Sequence, residues 1–238
     1  MKIKSILIAN RGEIAIRIIR TAKKMGIRTF VIKTAKEPNA WYLDEAAEII
    51  DFSECFDDTP EFLDIERIIY QAKQHGVDSI HPGYGFLAEN PDFAEACETN
   101  NIIFIGPPSE VIQSLGNKVT AREIMKEAGI PLVPGTQNLT PGDAGVEEAV
   151  TFADTYGYPV MLKATAGGGG RGIRRIENQA QLVEEIPLAR SEAKAAFNND
   201  AVYLEKVVLT PKHIEVQIIA DKFGNTVHLG SRDCSIQR

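Results

Sequence analysis

Apolar and polar positions follow two different periods along the first hundred residues. Residues 3–9, IKSILIA, form a nearly unbroken apolar run that stops at Asn10 and Arg11, and this predicts a buried strand. From 13 to 25, Ile14, Ile18, Ala22 and Met25 recur at helical spacing, so strand and helix make a βα unit. RTFVIK at 28–33 and AEIID at 47–51 predict two more strands, and Phe62, Ile65, Ile68, Ile69 and Ala72 mark the apolar side of a further helix. VDSI at 77–80 and IIFIG at 102–106 predict short strands. Strands alternating with helices imply a parallel sheet covered on both faces, with ligands gathered beyond the carboxyl ends of the strands. Two loops fall there, ANRGE at 9–13 and HPGYGFLAEN at 81–90.

The alternation breaks in GIPLVPGTQNLTPGDAG, where Pro131, Pro134, Pro141 and four glycines lie between 129 and 145, and a domain boundary is expected there. Beyond it the pattern predicts a helix at 146–156, a strand at 159–163, a glycine-rich loop, a strand at 172–176 and a long helix through 196. Three further strands, at 202–206, 213–220 and 226–230, are expected to close the chain as one antiparallel pattern with a turn at DKFGN. No internal repeat is visible.

Composition narrows the class. In 238 residues, 44% are hydrophobic and 25% charged, the balance of a globular protein able to bury a real core. The short apolar run near the N-terminus lacks a small-residue cleavage site and reads as a strand, not a signal peptide. Cys55, Cys97 and Cys234 are too few and too scattered for a disulfide framework or a zinc site, so a reducing cytoplasm is expected. A net charge of −7 argues against binding nucleic acid by bulk attraction. The stretch 163–175 is an exception, with four positive charges and no negative one.

That stretch contains TAGGGGRGIRR, with five glycines in six positions from Gly167 to Gly172. Gly167, Gly169 and Gly172 satisfy GxGxxG, but a dinucleotide fingerprint opens a helix, whereas GIRRI is followed by a turn. A Walker A loop is excluded because no Gly-Lys-Ser/Thr occurs. The remaining reading is a glycine flap between two antiparallel strands, with Lys163 at its base. Its backbone can approach an anion closely and turn successive N–H groups toward phosphate oxygens.

YPVMLKATAGGGGRG at 158–172 resembles a signature shared by biotin carboxylases and carbamoyl-phosphate synthetases of the ATP-grasp superfamily. IANRGEIAIRIIR at 8–20, HPGYGFLAEN at 81–90, FIGP at 104–107 and RDCSIQR at 232–238 resemble biotin carboxylase motifs, in that family's order. The resemblance implies an α/β fold: a Rossmann-like parallel sheet (pre-ATP-grasp) at 1–117, then a link at 118–134. An α+β ATP-grasp lid with the glycine flap would follow at 135–207, and the start of the ATP-grasp catalytic domain at 208–238.

It also implies chemistry: transfer of the ATP γ-phosphoryl group to bicarbonate, giving carboxyphosphate, and carboxylation of biotin on a carrier protein. Lys118 and Lys163 match the family's two phosphate-contacting lysines, and Gly167, Gly168, Gly169 and Gly170 would supply N–H donors. Glu205, Lys206, Val207 and Val208 match the adenine-facing segment, His213 a histidine near the ribose and phosphates, and Gln237 a polar residue on the nucleotide side. His81, Tyr84 and Glu89 are assigned a structural turn held by Pro82, Gly83 and Gly85. Lys126, in EIMKEAG, is not a biotin-accepting lysine, so biotin would arrive on another domain or chain, with carboxyltransferase as a further partner.

In the family, the glutamates that bind magnesium (or manganese) and the arginine and glutamate acting on bicarbonate and biotin follow RDCSIQR. No catalytic or metal-binding residue is therefore assigned within 1–238, and this polypeptide alone is not expected to turn over. Ser231 stands where the family has an acid, and Asn117 where it has an aspartate before Lys118. At the family's dimer contact Arg20 matches, while Lys24 occupies an acidic position, so the implied homodimer lacks one of its charges. Two other readings compete: a carbamoyl-phosphate-type ATP-grasp ligase, and a non-catalytic nucleotide-binding or docking module. No contact with nucleic acid or membrane is expected.

Overall fold

This computed structural model describes residues 2–54, 59–116, 118–166 and 172–236, with the side chains of Lys118 and Val119 outside that description. The chain divides into two compact units, Met1–Ala121 and Arg122–Arg238. The division falls ahead of the proline–glycine stretch.

The first unit is built on a parallel sheet of five strands, β1 (Ser5–Ile8), β2 (Arg28–Lys33), β3 (Glu48–Asp51), β4 (Ser79–His81) and β5 (Ile103–Phe104), in the order β3-β2-β1-β4-β5. Its helices are α1 (Gly12–Lys24), α2 (Ile65–Gln74), α3 (Pro91–Thr99) and α4 (Ser109–Gly116). Alternate strand residues feed two separate cores. Leu7, Phe30, Ile32 and Ile80 pack with Ile68 and Ala72 of α2 and Phe93 and Cys97 of α3. Ile6, Ile8 and Val31 pack with Ile16 and Ile19 of α1 and with Tyr42. Burial on both faces is why these strands read as continuous apolar runs.

Local chemistry sets the element ends. The Asn90 side chain accepts from the Phe93 amide, with Pro91 at the first turn of α3, and Asp64 accepts from Arg67 to start α2. That cap places Phe62 outside the expected helix, in a short 3-10 turn at Glu61–Leu63. Asp78 accepts from the amides of Lys4 and Ser5 at 2.8 and 3.0 Å, tying the entry of β1 to β4 and holding its carboxyl below the ordinary range.

The second unit contains α5, which runs Lys118–Glu127 across the division, then α6 (Asp143–Tyr156), β6 (Val160–Ala164), β7 (Ile173–Ile176), α7 (Gln179–Phe197), β8 (Val202–Lys206), β9 (Ile214–Ala220) and β10 (Thr226–Asp233). The strands flanking the glycine loop are β6 and β7, and they pair antiparallel as expected. One expectation is corrected. The three last strands do not form a single antiparallel pattern: β8 joins β6 in the sheet β7-β6-β8, and β9 and β10 make a separate hairpin. Packing decides this, because Val202 and Leu204 complete a core with Val160, Leu162 and Ile176, beneath Phe152 of α6 and Leu182 and Ile186 of α7. Among the described residues, no helix is long and apolar enough to cross a membrane.

Candidate functional site

Strand alternation gives the β7-β6-β8 sheet two unlike faces. Val160, Leu162 and Ala164 point into the core, so Met161 and Lys163 lie on the opposite face. The register pairs Lys163 with Tyr203 and Met161 with Glu205, which makes Lys163 and Glu205 diagonal cross-strand neighbours on that face. Glu205 Oε2 accepts from Lys163 Nζ, and Glu205 Oε1 accepts from Arg122 Nη1 at 3.2 Å. All three side chains are largely withdrawn from solvent, with exposures of 25% for Lys163, 17% for Glu205 and 23% for Arg122.

Tyr203 is buried beside this cluster. Its hydroxyl is pushed up to about 12, first by burial and then by the Glu205 charge, with Arg122 opposing. It therefore stays neutral at physiological pH. Within the cluster, charge resides in the two cations and the one carboxylate; Arg175 of β7, on the same face by register, is paired with Glu177 at 2.7 Å.

The far edge of β8 is occupied by the proline–glycine link. The amide of Thr136 donates to Leu204 O and that of Lys206 to Pro134 O, both at 2.9 Å, and Arg122 Nη2 donates to Val133 O at 2.7 Å. Gly135 is required by this close approach, because a Cβ would stand 2.9 Å from both Arg122 Nη2 and Leu204 O. Further along the link, Arg190 of α7 donates to the carbonyls of Leu139 and Thr140, at 2.5 and 2.7 Å.

The residues singled out from the sequence thus have different surroundings. Lys163 and Glu205 come together. The ammonium of Lys206 points elsewhere, donating to the carbonyls of Gly157 and Tyr158 at 2.8 and 3.3 Å, where it satisfies the chain beyond α6. Its amide is already used, and that of Val207 donates to Pro159 O at 3.4 Å, while the Val208 side chain is exposed. His213 lies at the base of the β9–β10 hairpin. Its amide donates to Ser235 Oγ at 3.0 Å, and its exposed imidazole is 3.8 Å from Glu215. Gly167, Gly168, Gly169, Gly170 and Gln237 lie outside the described residues, as does the side chain of Lys118. Among the described residues, no group of three or more His, Cys, Asp or Glu side chains is arranged to hold a metal ion.

Arg122 is the member of the cluster that sequence reasoning did not single out. The available signal was its position four residues after Lys118, one helical turn along α5.

In the first unit, the loops after β1 and β4 form a second arrangement at the point where strand order reverses. Asn10 Nδ2 donates to Pro82 O and Tyr84 O at 2.7 and 2.8 Å, and the Gly83 amide donates to His81 Nδ1 at 3.0 Å. Burial lowers the His81 pKa, so its ring is neutral and acts as an acceptor here. Tyr84 donates to Glu13 at 2.5 Å across a cleft of about 380 Å³ lined also by Arg11 and Phe86.

Residues 2–112 match the family described as biotin carboxylase, N-terminal domain, and residues 117–238 match the carbamoyl-phosphate synthase L chain, ATP binding domain. Biotin carboxylase 1 of Bacillus subtilis is 48% identical over 239 residues, covering 99% of this chain and 52% of that protein. The crystal structure of a biotin carboxylase–β-γ-ATP complex from Campylobacter jejuni superposes with a TM-score of 0.89 at 44% identity, covering 100% of this chain and 52% of that one. The biotin carboxylase domain dimer of Hydrogenobacter thermophilus 2-oxoglutarate carboxylase, in complex with MgADP, ADP and bicarbonate, gives 0.86 at 47% identity, covering 100% and 51%. The chain spans about half the length of the relatives it matches.

Proposed function

The chain belongs to the biotin carboxylase family, and from that premise we propose that it provides the nucleotide-binding part of an enzyme that carboxylates biotin with ATP and bicarbonate. The observation carrying this reading is the largely buried cluster of Lys163, Glu205 and Arg122 on the face of β6 and β8 opposite the helix-packed core, next to the strand ends that border the glycine stretch. Two cations against one carboxylate leave a net positive charge where water is partly excluded, and that environment strengthens attraction to a polyanion.

In this reading, Lys163 and Lys118 hold phosphate oxygens together with N–H groups of Gly167, Gly168, Gly169 and Gly170. The adenine lies along Glu205–Val208, with His213 and Gln237 toward the ribose. The side chain of Lys206 supports that strand through its carbonyl contacts and does not face the nucleotide. Residues 1–117 form the Rossmann-like domain, 135–207 the lid, and 208–238 the start of the catalytic domain. Bound ATP supplies the phosphoryl group that activates bicarbonate, and magnesium or manganese ligands come from outside the described residues. Biotin on a carrier, a carboxyltransferase and a second copy of the enzyme are its partners.

The test is ATP hydrolysis by a protein of the relatives' full length carrying this chain. Hydrolysis that depends on bicarbonate and rises with free biotin is expected. Hydrolysis indifferent to both would contradict the proposal, and dependence on ammonia would favour a carbamoyl-phosphate-type ligase, the reading suggested by the match at 117–238.

A further inference from the structure

The Glu205 carboxylate is divided between cations from two different elements. One oxygen takes Lys163 of β6 and the other takes Arg122 of α5. The guanidinium is fixed independently by Val133 O and by the bare Gly135 beside it, so it holds its oxygen of Glu205 with little freedom. The lysine has a flexible four-carbon stem and can leave. A carboxylate already neutralised on one side holds its second partner less tightly than one facing that partner alone. The arithmetic of charge agrees: Arg122, Lys163 and Glu205 sum to one positive charge, whereas Lys163 and Glu205 without Arg122 sum to zero.

We propose that Arg122 is a positioning residue for Lys163: by occupying one oxygen of Glu205 it leaves the lysine free to exchange carboxylate for phosphate. This rests on the nucleotide reading above for its ligand, but the link from Arg122 through Glu205 to Lys163 can be measured without any nucleotide. Glu205 is then a holder for the lysine in the empty site. Arg122 sets how firmly it holds.

The test uses the 238-residue chain and reductive methylation of lysines by formaldehyde and cyanoborohydride, with the rate at Lys163 read by peptide mass spectrometry. R122Q should slow methylation of Lys163 by about threefold to tenfold, the span between an exposed and a partly buried ion pair. R122K should restore most of the rate. E205Q should raise it, and the effect of R122Q should be smaller in the E205Q background, where only direct repulsion between the two cations remains. A role of Arg122 confined to bracing Val133 would leave the Lys163 rate unchanged in R122Q, whereas E205Q raises it in either case. An unchanged rate in R122Q with circular dichroism intact overturns the inference. If R122Q does not fold, an unchanged Lys163 rate in E205Q overturns it equally.

Inorganic tripolyphosphate and ATP form a second arm. Each should protect Lys163 in the parent chain, and R122Q should require about tenfold more of either, the effect of losing a neighbouring charge in a partly buried site. Failure of both to protect the parent chain, with the R122Q and E205Q effects on the free lysine intact, would overturn the nucleotide reading while upholding the control of Lys163 by Arg122.

Discussion

Replacing Asn10 with alanine should unfold the first unit well before the second. The side chain is 3% exposed and makes three hydrogen bonds, donating to Pro82 O and Tyr84 O and accepting from the Arg11 amide at 2.9 Å. Truncation leaves a buried carbonyl and a half-buried one without their donor. At about 1–3 kcal/mol for each unsatisfied group, the loss is about 3 kcal/mol, or roughly 10 °C for a unit of this size. N10D keeps the shape and removes both donors, so it should cost at least as much; a cavity effect alone would spare it. Gly83 supplies an internal control. A Cβ there would stand 2.6 Å from Asn10 Nδ2, and its φ of +68° already penalises a side chain. G83A should therefore cost less in the N10A background than alone, retaining about 1–2 kcal/mol of backbone strain and the 3.1 Å contact with the Cβ that residue 10 keeps. The assay is urea unfolding followed by fluorescence of Trp41, the single tryptophan, which lies in the first unit. A midpoint for N10A within error of the parent would refute the reasoning, as would strict additivity with G83A.

Other expectations concern separate places. G145A should destabilise the second unit by about 3 kcal/mol, because the new Cβ would fall 1.8 Å from Thr140 O, whereas G142A meets open space and should lose about 2–3 kcal/mol through its backbone alone, since a φ of +76° with a ψ of −156° is a conformation essentially reserved for glycine; thermal melts of each variant against the parent check both. Cys97 is fully buried, with its thiol pushed up to about 12, first by burial and then by Glu98, so iodoacetamide at about pH 8 should leave it unmodified until guanidinium unfolds the chain. Asp51 pairs across β2 and β3 with Lys33 at 2.8 Å and also accepts from Ser53; the Lys33 bond is the largest cause lowering its carboxyl from 3.8 to about 2. Its folded value lies below its unfolded one, so its contribution is present above about pH 4 and lost as pH falls toward 2. The stability gap between the parent and D51N should close over that window, and a gap that is constant with pH would contradict the assignment.

Periodicity made the first unit legible because its central strands β1 and β2 are buried on both faces and its helices on one. Residues such as Leu7 and Ile8 announce a strand whichever core they enter. The limits were set by contacts far apart in sequence. VYLEK reads as a strand from its own letters, but whether it joins β6 or β9 depends on Leu204 meeting Leu162 over α7, which no local pattern encodes. Lys163 was visible as a cation at the base of a glycine loop. Its partner Glu205 stood out through the resemblance, whereas their meeting requires the cross-strand register. Arg122 escaped notice because α5 leaves Glu123, Ile124, Lys126 and Glu127 exposed, so the helix lacks the apolar stripe that would orient its faces. Asn10 was read as the end of a strand, and its role as a clamp appears only when the loop 72 residues later closes on it.

The role of Lys163 as a phosphate ligand is tested most directly by calorimetric titration of the 238-residue chain and its K163M variant with ATP, alongside adenosine. Saturable heat with ATP, at least tenfold weaker for K163M, and no comparable difference for adenosine, is the expected result for loss of one phosphate-directed charge in a partly buried site. Equal ATP affinity in the two proteins, or no heat from the parent chain at millimolar nucleotide, would contradict it.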